Sequence, residues 1–182
     1  MQSARETKAQ PPGHRTAGET ARGEAARDEI ACGEATRGGL TRERGAYLLV
    51  IDLDRPLRLD VASLGGAVLA PGRYLYCGSA HGPGGLRARV GRHLRAGKAP
   101  RWHVDRLSEA GRVVAVGVLP GGTECGLRAR LGRLPGVRVP VAGFGSTDCR
   151  RCPAHLLLAP EGRMSDFRYQ MSEMAWFLIP DI

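Results

Sequence analysis

Between Gly72 and Lys98 the chain reads GRYLYCGSAHGPGGLRARVGRHLRAGK, and this run constrains the fold more tightly than any other. Tyr74 and Tyr76 alternate with their neighbours at period two, which predicts a strand over Arg73–Gly78 with both rings on one face. Gly82-Pro83-Gly84-Gly85 interrupts that pattern and sets a turn. Leu86, Val90 and Leu94 then recur at helical spacing, so a helix is expected over Leu86–Leu94. No Asp or Glu occurs from Val61 through Val104, whereas Arg73, Arg87, Arg89, Arg92, Arg95, Lys98 and Arg101 all do. Cations gathered beside tyrosines without counter-charges suit phosphate. Nucleic acid is therefore the first partner expected, with Arg73, Arg87, Arg92, Arg95, Lys98 and Arg101 as candidate contacts.

The overall charge of +9 is weaker evidence than its distribution, because the cations are almost all Arg and Asn is absent, a compositional bias. Residues 1–44 carry eight basic and seven acidic residues, whereas residues 45–182 carry nineteen and eleven. The excess sits on the part expected to fold. Residues 1–44 are rich in Gly, Ala, Arg, Glu and Thr and read as a disordered low-complexity tail, or as the product of a start codon placed too early. No apolar run approaches the roughly 18 residues of a membrane span, and no signal-peptide core is present, so a membrane partner is not expected. Five scattered cysteines suit a reduced cytoplasmic protein.

Order is expected from Gly45. Ala46–Leu53 (AYLLVIDL) reads as a strand with Tyr47, Leu49 and Ile51 on one face. Residues 54–71 read as a connection, Trp102–Ala110 as a short helix, Val113–Leu119 as a third strand, and Thr123–Leu134 as a helix with Leu127, Leu131 and Leu134 as its stripe. Residues 143–153 read as a loop and Ala154–Leu158 as an edge strand. The final segment, residues 161–182, reads as a tail whose Met171, Met174, Trp176 and Phe177 suggest a short docked helix. Strands and helices alternate without βαβ regularity. The expected fold is α+β, a small, mostly antiparallel sheet flanked by helices, within one domain over residues 45–160.

Several side chains stand out chemically. Arg89 and His93 lie one turn apart, beside an apolar stripe. Glu124 falls on the buried stripe of its helix, where an unpaired carboxylate costs several kcal/mol. It could cap the helix start, hold a metal, or pair with an arginine.

Taken in order, Gly45-Ala46-Tyr47, Tyr76-Cys77-Gly78-Ser79, Leu86-Arg87-Ala88-Arg89 with His93, and then Glu124 resemble the motifs of the GIY-YIG nuclease family. The fuller set GRYLYCGSA, LRARVGRHLR, RWHVDRL, TECGLRARL, GFGSTDC and HLLL is similar to a GIY-YIG-like branch found alone or fused to endonuclease III-type DNA-repair glycosylases. The pattern covers residues 45–159. The resemblance implies phosphodiester hydrolysis in DNA, in a repair setting, with one divalent Mg²⁺ or Mn²⁺. It implies Tyr47 as the general base or orienter of water, Tyr76 as its support, Arg89 as the phosphate stabiliser and Glu124 as the metal ligand. His93 takes a place where relatives carry His or Tyr. A phenol is a weak base unless cations favour its phenolate, a task expected of Arg89 and the metal. The chain departs from the pattern in reading Gly-Ala-Tyr, in the 29 positions from Tyr47 to Tyr76, and in lacking a late Asn.

Two further groups are open to reading. His103 and Asp105, in Trp102-His103-Val104-Asp105, are too close in helical register to share a face. They divide evenly between structure and support of the site, and Trp102 is expected in the core. Cys149, Cys152 and His155 have the spacing of half a zinc site, for which Cys125, Cys77 or His103 would have to supply a fourth ligand. Free thiols in a loop are the favoured reading. Phe144 is expected to pack. The alternatives to a nuclease are a non-catalytic nucleic-acid-binding module of the same fold and a zinc-stabilised interaction domain.

Overall fold

The computed structural model describes residues 39–161, 168–169 and 171–179. Most of the expected N-terminal tail, residues 1–38, and much of the C-terminal segment lie outside the described residues. The fold is α+β. Strands β1 (Gly45–Leu53), β4 (Gly72–Ser79), β5 (Arg112–Pro120), β6 (Leu156–Leu158) and β7 (Ala175–Leu178) form one sheet in the order β6-β4-β1-β5-β7, and every neighbouring pair is antiparallel. Two-residue strands β2 (Leu57–Arg58) and β3 (Val68–Leu69) form a separate ribbon within the long β1–β4 connection.

The apolar run of β1 is central and covered on both faces, so alternation sends its side chains into two cores. Tyr47, Leu49 and Ile51 join Tyr74 and Tyr76 on the face packed by α1 (Gly85–His93) and α2 (His103–Ala110), through Leu86, Val90, Val104 and Leu107. Ala46, Leu48 and Val50 join Leu75 and Cys77 on the other face, packed by α3 (Glu124–Leu131) through Leu127 and Leu131. A helix as short as α3 is marginal alone. Burying those two leucines, at roughly 1.5–3 kcal/mol each, holds it against the β1 and β4 face of the sheet.

Order begins earlier than Gly45. Leu40 is buried, and the carbonyls of Thr41 and Glu43 accept from the N–H groups of Arg87 and Leu86 at the start of α1. Gly85 makes this possible: its φ is +57°, and a Cβ there would fall 2.1 Å from the Arg42 carbonyl oxygen. The C-terminal expectation also changes. Residues 175–178 form a strand rather than part of a helix, and β7 closes the open edge of β5. Met171 and Met174 are spaced like a helix, but Trp176 packs on one core and Phe177 on the other, which is the alternation of a strand.

Candidate active site

Where β1 begins and β4 ends, beside α1, a cleft of about 440 Å³ opens. Tyr47, Tyr76, Arg89 and Glu124, four residues spread over 78 positions (47 to 124), all line it. Tyr47 sits directly across from Gly78 in the β1–β4 register, and a Cβ at Gly78 would fall 2.1 Å from the Tyr47 ring. The glycine is the space through which the tyrosine reaches the cleft.

Behind the cleft the tyrosine enters a buried chain. Tyr47 Oη lies 2.7 Å from His93 Nε2. His93 Nδ1 lies 3.4 Å from Asp105 Oδ1, a long contact, and it has no closer partner. Asp105 is fully buried and saturated: Oδ1 accepts from Arg92 at 2.7 Å, and Oδ2 accepts from the N–H groups of Arg101 and Trp102 at 2.7 and 2.9 Å. Burial pushes the Asp105 carboxyl up, yet the approach of His93 and the bonds from Arg92, Trp102 and Arg101 hold it well below the usual carboxylate range. Burial also lowers the pKa of His93 more than Asp105 raises it, so the ring is neutral at pH 7. For Tyr47 burial dominates as well: its pKa is raised well above 10, and Arg89 does not reverse this. Arg89 acts in the expected direction but is outweighed by burial. Protein groups alone keep Tyr47 a neutral phenol, and Tyr76 is raised likewise by burial.

Trp102 is more than a core residue. The Arg89 guanidinium lies 4.6 Å and that of Arg92 4.2 Å from its ring centroid, so cation–π contacts position Arg89 at the cleft. His103 and Asp105 diverge as their register requires. His103 lines the cleft and its Nδ1 accepts from Gly145 N–H at 3.1 Å, which places the ring proton on Nε2. Phe144 is fully buried against Tyr76 and His103.

Glu124 opens α3, but the cap is made by Thr123, whose Oγ1 accepts from Gly126 N–H at 3.1 Å. Among the described residues Glu124 has neither a hydrogen bond nor an ion pair, so it pairs with no arginine. A second carboxylate lining the cleft, Asp148, went unread in the sequence because it sits in a loop without periodicity.

The basic residues separate. Arg101 lines the cleft, while Arg87 on α1 and Arg95 just beyond it are exposed and do not line it. Arg92 is tied to Asp105, to the Ala99 carbonyl and to Trp102. Lys98 pairs with Glu109 at 2.6 Å. Arg73 forms a two-pronged pair with Asp52 at the far end of β4.

Cys149, Cys152 and His155 come together with Cys125, the first-turn residue of α3, and their four ligand atoms lie within 4.8 Å of one another. Burial pushes the Cys125 thiol up to about 12, while the N–H groups of Arg151 and Cys152 draw Cys149 down to about 6. Cys125 was legible in the sequence as one of three candidate fourth ligands. Choosing among them required the packing of α3.

A family profile described as "Domain of unknown function DUF123" matches residues 46–175. The chain belongs to this family. The match takes in Tyr47, Glu124, the cysteine–histidine cluster and the first residue of β7. No curated protein and no solved structure matches the chain.

Proposed function

We propose that this DUF123 protein is a GIY-YIG-type endonuclease that hydrolyses phosphodiester bonds in DNA with the aid of Mg²⁺ or Mn²⁺. The observation that carries the reading is the buried 2.7 Å contact between Tyr47 Oη and His93 Nε2, behind a cleft that also holds Arg89 and an unpartnered Glu124. A neutral phenol can accept a proton from water only if it passes its own onward. His93 is neutral and presents Nε2 to that proton, and Asp105 carries the negative charge that stabilises the resulting imidazolium. Water thus loses a proton to Tyr47 Oη as the phenolic proton moves to His93, the hydroxide oxygen forms the new bond to phosphorus, and the ester P–O bond opposite it breaks, the departing sugar oxygen taking its proton from solvent. Arg89, steadied on Trp102, offers its guanidinium to the charge that builds on the phosphate oxygens.

A carboxylate free of a cap or an arginine suits a hard divalent cation, so Glu124 would hold the metal, with Asp148 lining the same cleft. A bound ion there would neutralise charge on the phosphate and the departing oxygen. Arg101, Arg87 and Arg95 extend a basic surface for the strands on either side.

The test is nicking of plasmid and branched DNA by purified protein with Mg²⁺ or Mn²⁺. Tyr47→Phe is expected to lower cleavage by roughly 10²–10⁴-fold while leaving DNA binding intact. Salt-sensitive binding with no cleavage under either metal would instead leave a non-catalytic nucleic-acid-binding module.

A further inference from the structure

We propose that Cys125, Cys149, Cys152 and His155 form a Cys₃His zinc centre that staples the N-terminus of α3 to the loop leading into β6. Two of the separations are close to the edges of a tetrahedral site. Cys125 Sγ lies 3.5 Å from Cys149 Sγ and 3.7 Å from His155 Nε2. A tetrahedron with Zn–S near 2.3 Å and Zn–N near 2.05 Å has edges of about 3.8 Å for S–S and about 3.6 Å for S–N. All four described cysteines are free thiols, so these contacts are not a disulfide.

Two further observations point the same way. Arg128, one turn along α3 from Cys125, has a buried Nε without a hydrogen-bond partner. A Zn²⁺ ion held by three thiolates and a neutral imidazole carries a net charge of about −1, which this guanidinium complements. Finally, residues 132–155 join α3 to β6 without a helix or strand of their own. Loops beyond about 12–15 residues need some other source of order, and a metal clip closing this one supplies it.

Soft sulfur ligands in tetrahedral array select zinc over magnesium or manganese, so this centre is distinct from the hard-cation role assigned to Glu124. Binding releases up to three thiol protons. A second consequence rests on the nuclease reading. Glu124 precedes Cys125 and Asp148 precedes Cys149, so each cleft carboxylate is bonded directly to a ligand residue. The zinc then acts as a positioning centre for both.

The measurement is elemental analysis of the full chain, purified with reductant and without chelator, where about one zinc per chain is expected. The double variant Cys149→Ser/Cys152→Ser should fall below about 0.2 zinc per chain, and His155→Cys should retain zinc where His155→Ala loses it. Should the variants fail to fold, Co²⁺ titration of the reduced wild-type chain decides, with thiolate-to-cobalt charge-transfer and tetrahedral d–d bands expected. Zinc-free protein with no such bands overturns the proposal, as does an unchanged zinc content in the double variant. These readouts are independent of cleavage. Zinc with no cleavage sinks the nuclease reading alone, and cleavage without zinc sinks this one alone.

Discussion

Asp105 and Glu124 are carboxylates on successive helices beside one cleft, and their surroundings are opposite. Asp105 is fully buried and engaged by Arg92, His93 and two backbone N–H groups. Glu124 is partly buried and unengaged among the described residues. A buried charge survives only if it is paired, so Asp105 belongs to the scaffold and acts on chemistry through His93. A carboxylate that the fold leaves without a partner is available to a ligand. The same contrast separates Arg92, locked behind Trp102, from Arg89, which reaches the cleft from the other contact on that ring. Charge in this molecule is therefore divided between a saturated knot that fixes geometry and an open front that meets the substrate.

Paired substitutions test that division. Glu124→Gln should lower cleavage by about 10³-fold, several kcal/mol of transition-state stabilisation, with the unfolding free energy changed by less than about 0.5 kcal/mol. Asp105→Ala should do the reverse in kind, costing about 3 kcal/mol in urea unfolding, because it strands Arg92 and two buried N–H groups. Equal stability loss in both variants would erase the distinction.

A smaller effect is expected at the hinge between knot and front. His93, faced by Tyr47, Asp105, Arg92 and Lys98, has a pKa below the ordinary 6.5, chiefly through burial. Cleavage needs the neutral ring, so the rate should stay level above pH 6.5 and fall only as pH drops through the lowered value. His93→Gln should cost about 10²-fold and remove that acid limb. The linkage to stability has the same sign. The unfolded chain binds this proton near pH 6.5 and the folded chain only at lower pH, so urea stability should decline as pH falls below 6.5.

The smallest effects belong to the outer surface. Arg87→Ala and Arg95→Ala should each weaken DNA binding without regard to sequence and reduce the salt slope by about one, with unfolding unchanged. Arg73→Ala, remote from the cleft and paired with Asp52, should leave the salt slope as it is.

Much of this was legible in the chain because it depends on local periodicity. The strand faces of Tyr47–Ile51 and Tyr74–Tyr76, the Gly82–Gly85 turn, and the helices bearing Arg89 and Glu124 follow from alternation, helical spacing and turn residues. The β7 strand was not legible, since four residues with mixed apolar spacing take their conformation from the unpaired edge of β5. Asp148 and the choice of Cys125 were also beyond periodicity, because loop residues are placed by packing at long range. By itself the sequence determined an α+β chain with a tyrosine strand, an arginine helix and a later glutamate in order. Only the tertiary structure decided which charges are spent on one another and which remain free. Desolvation and pairing depend on neighbours that stand far apart along the chain, as His93 does from Tyr47 and Cys125 from His155.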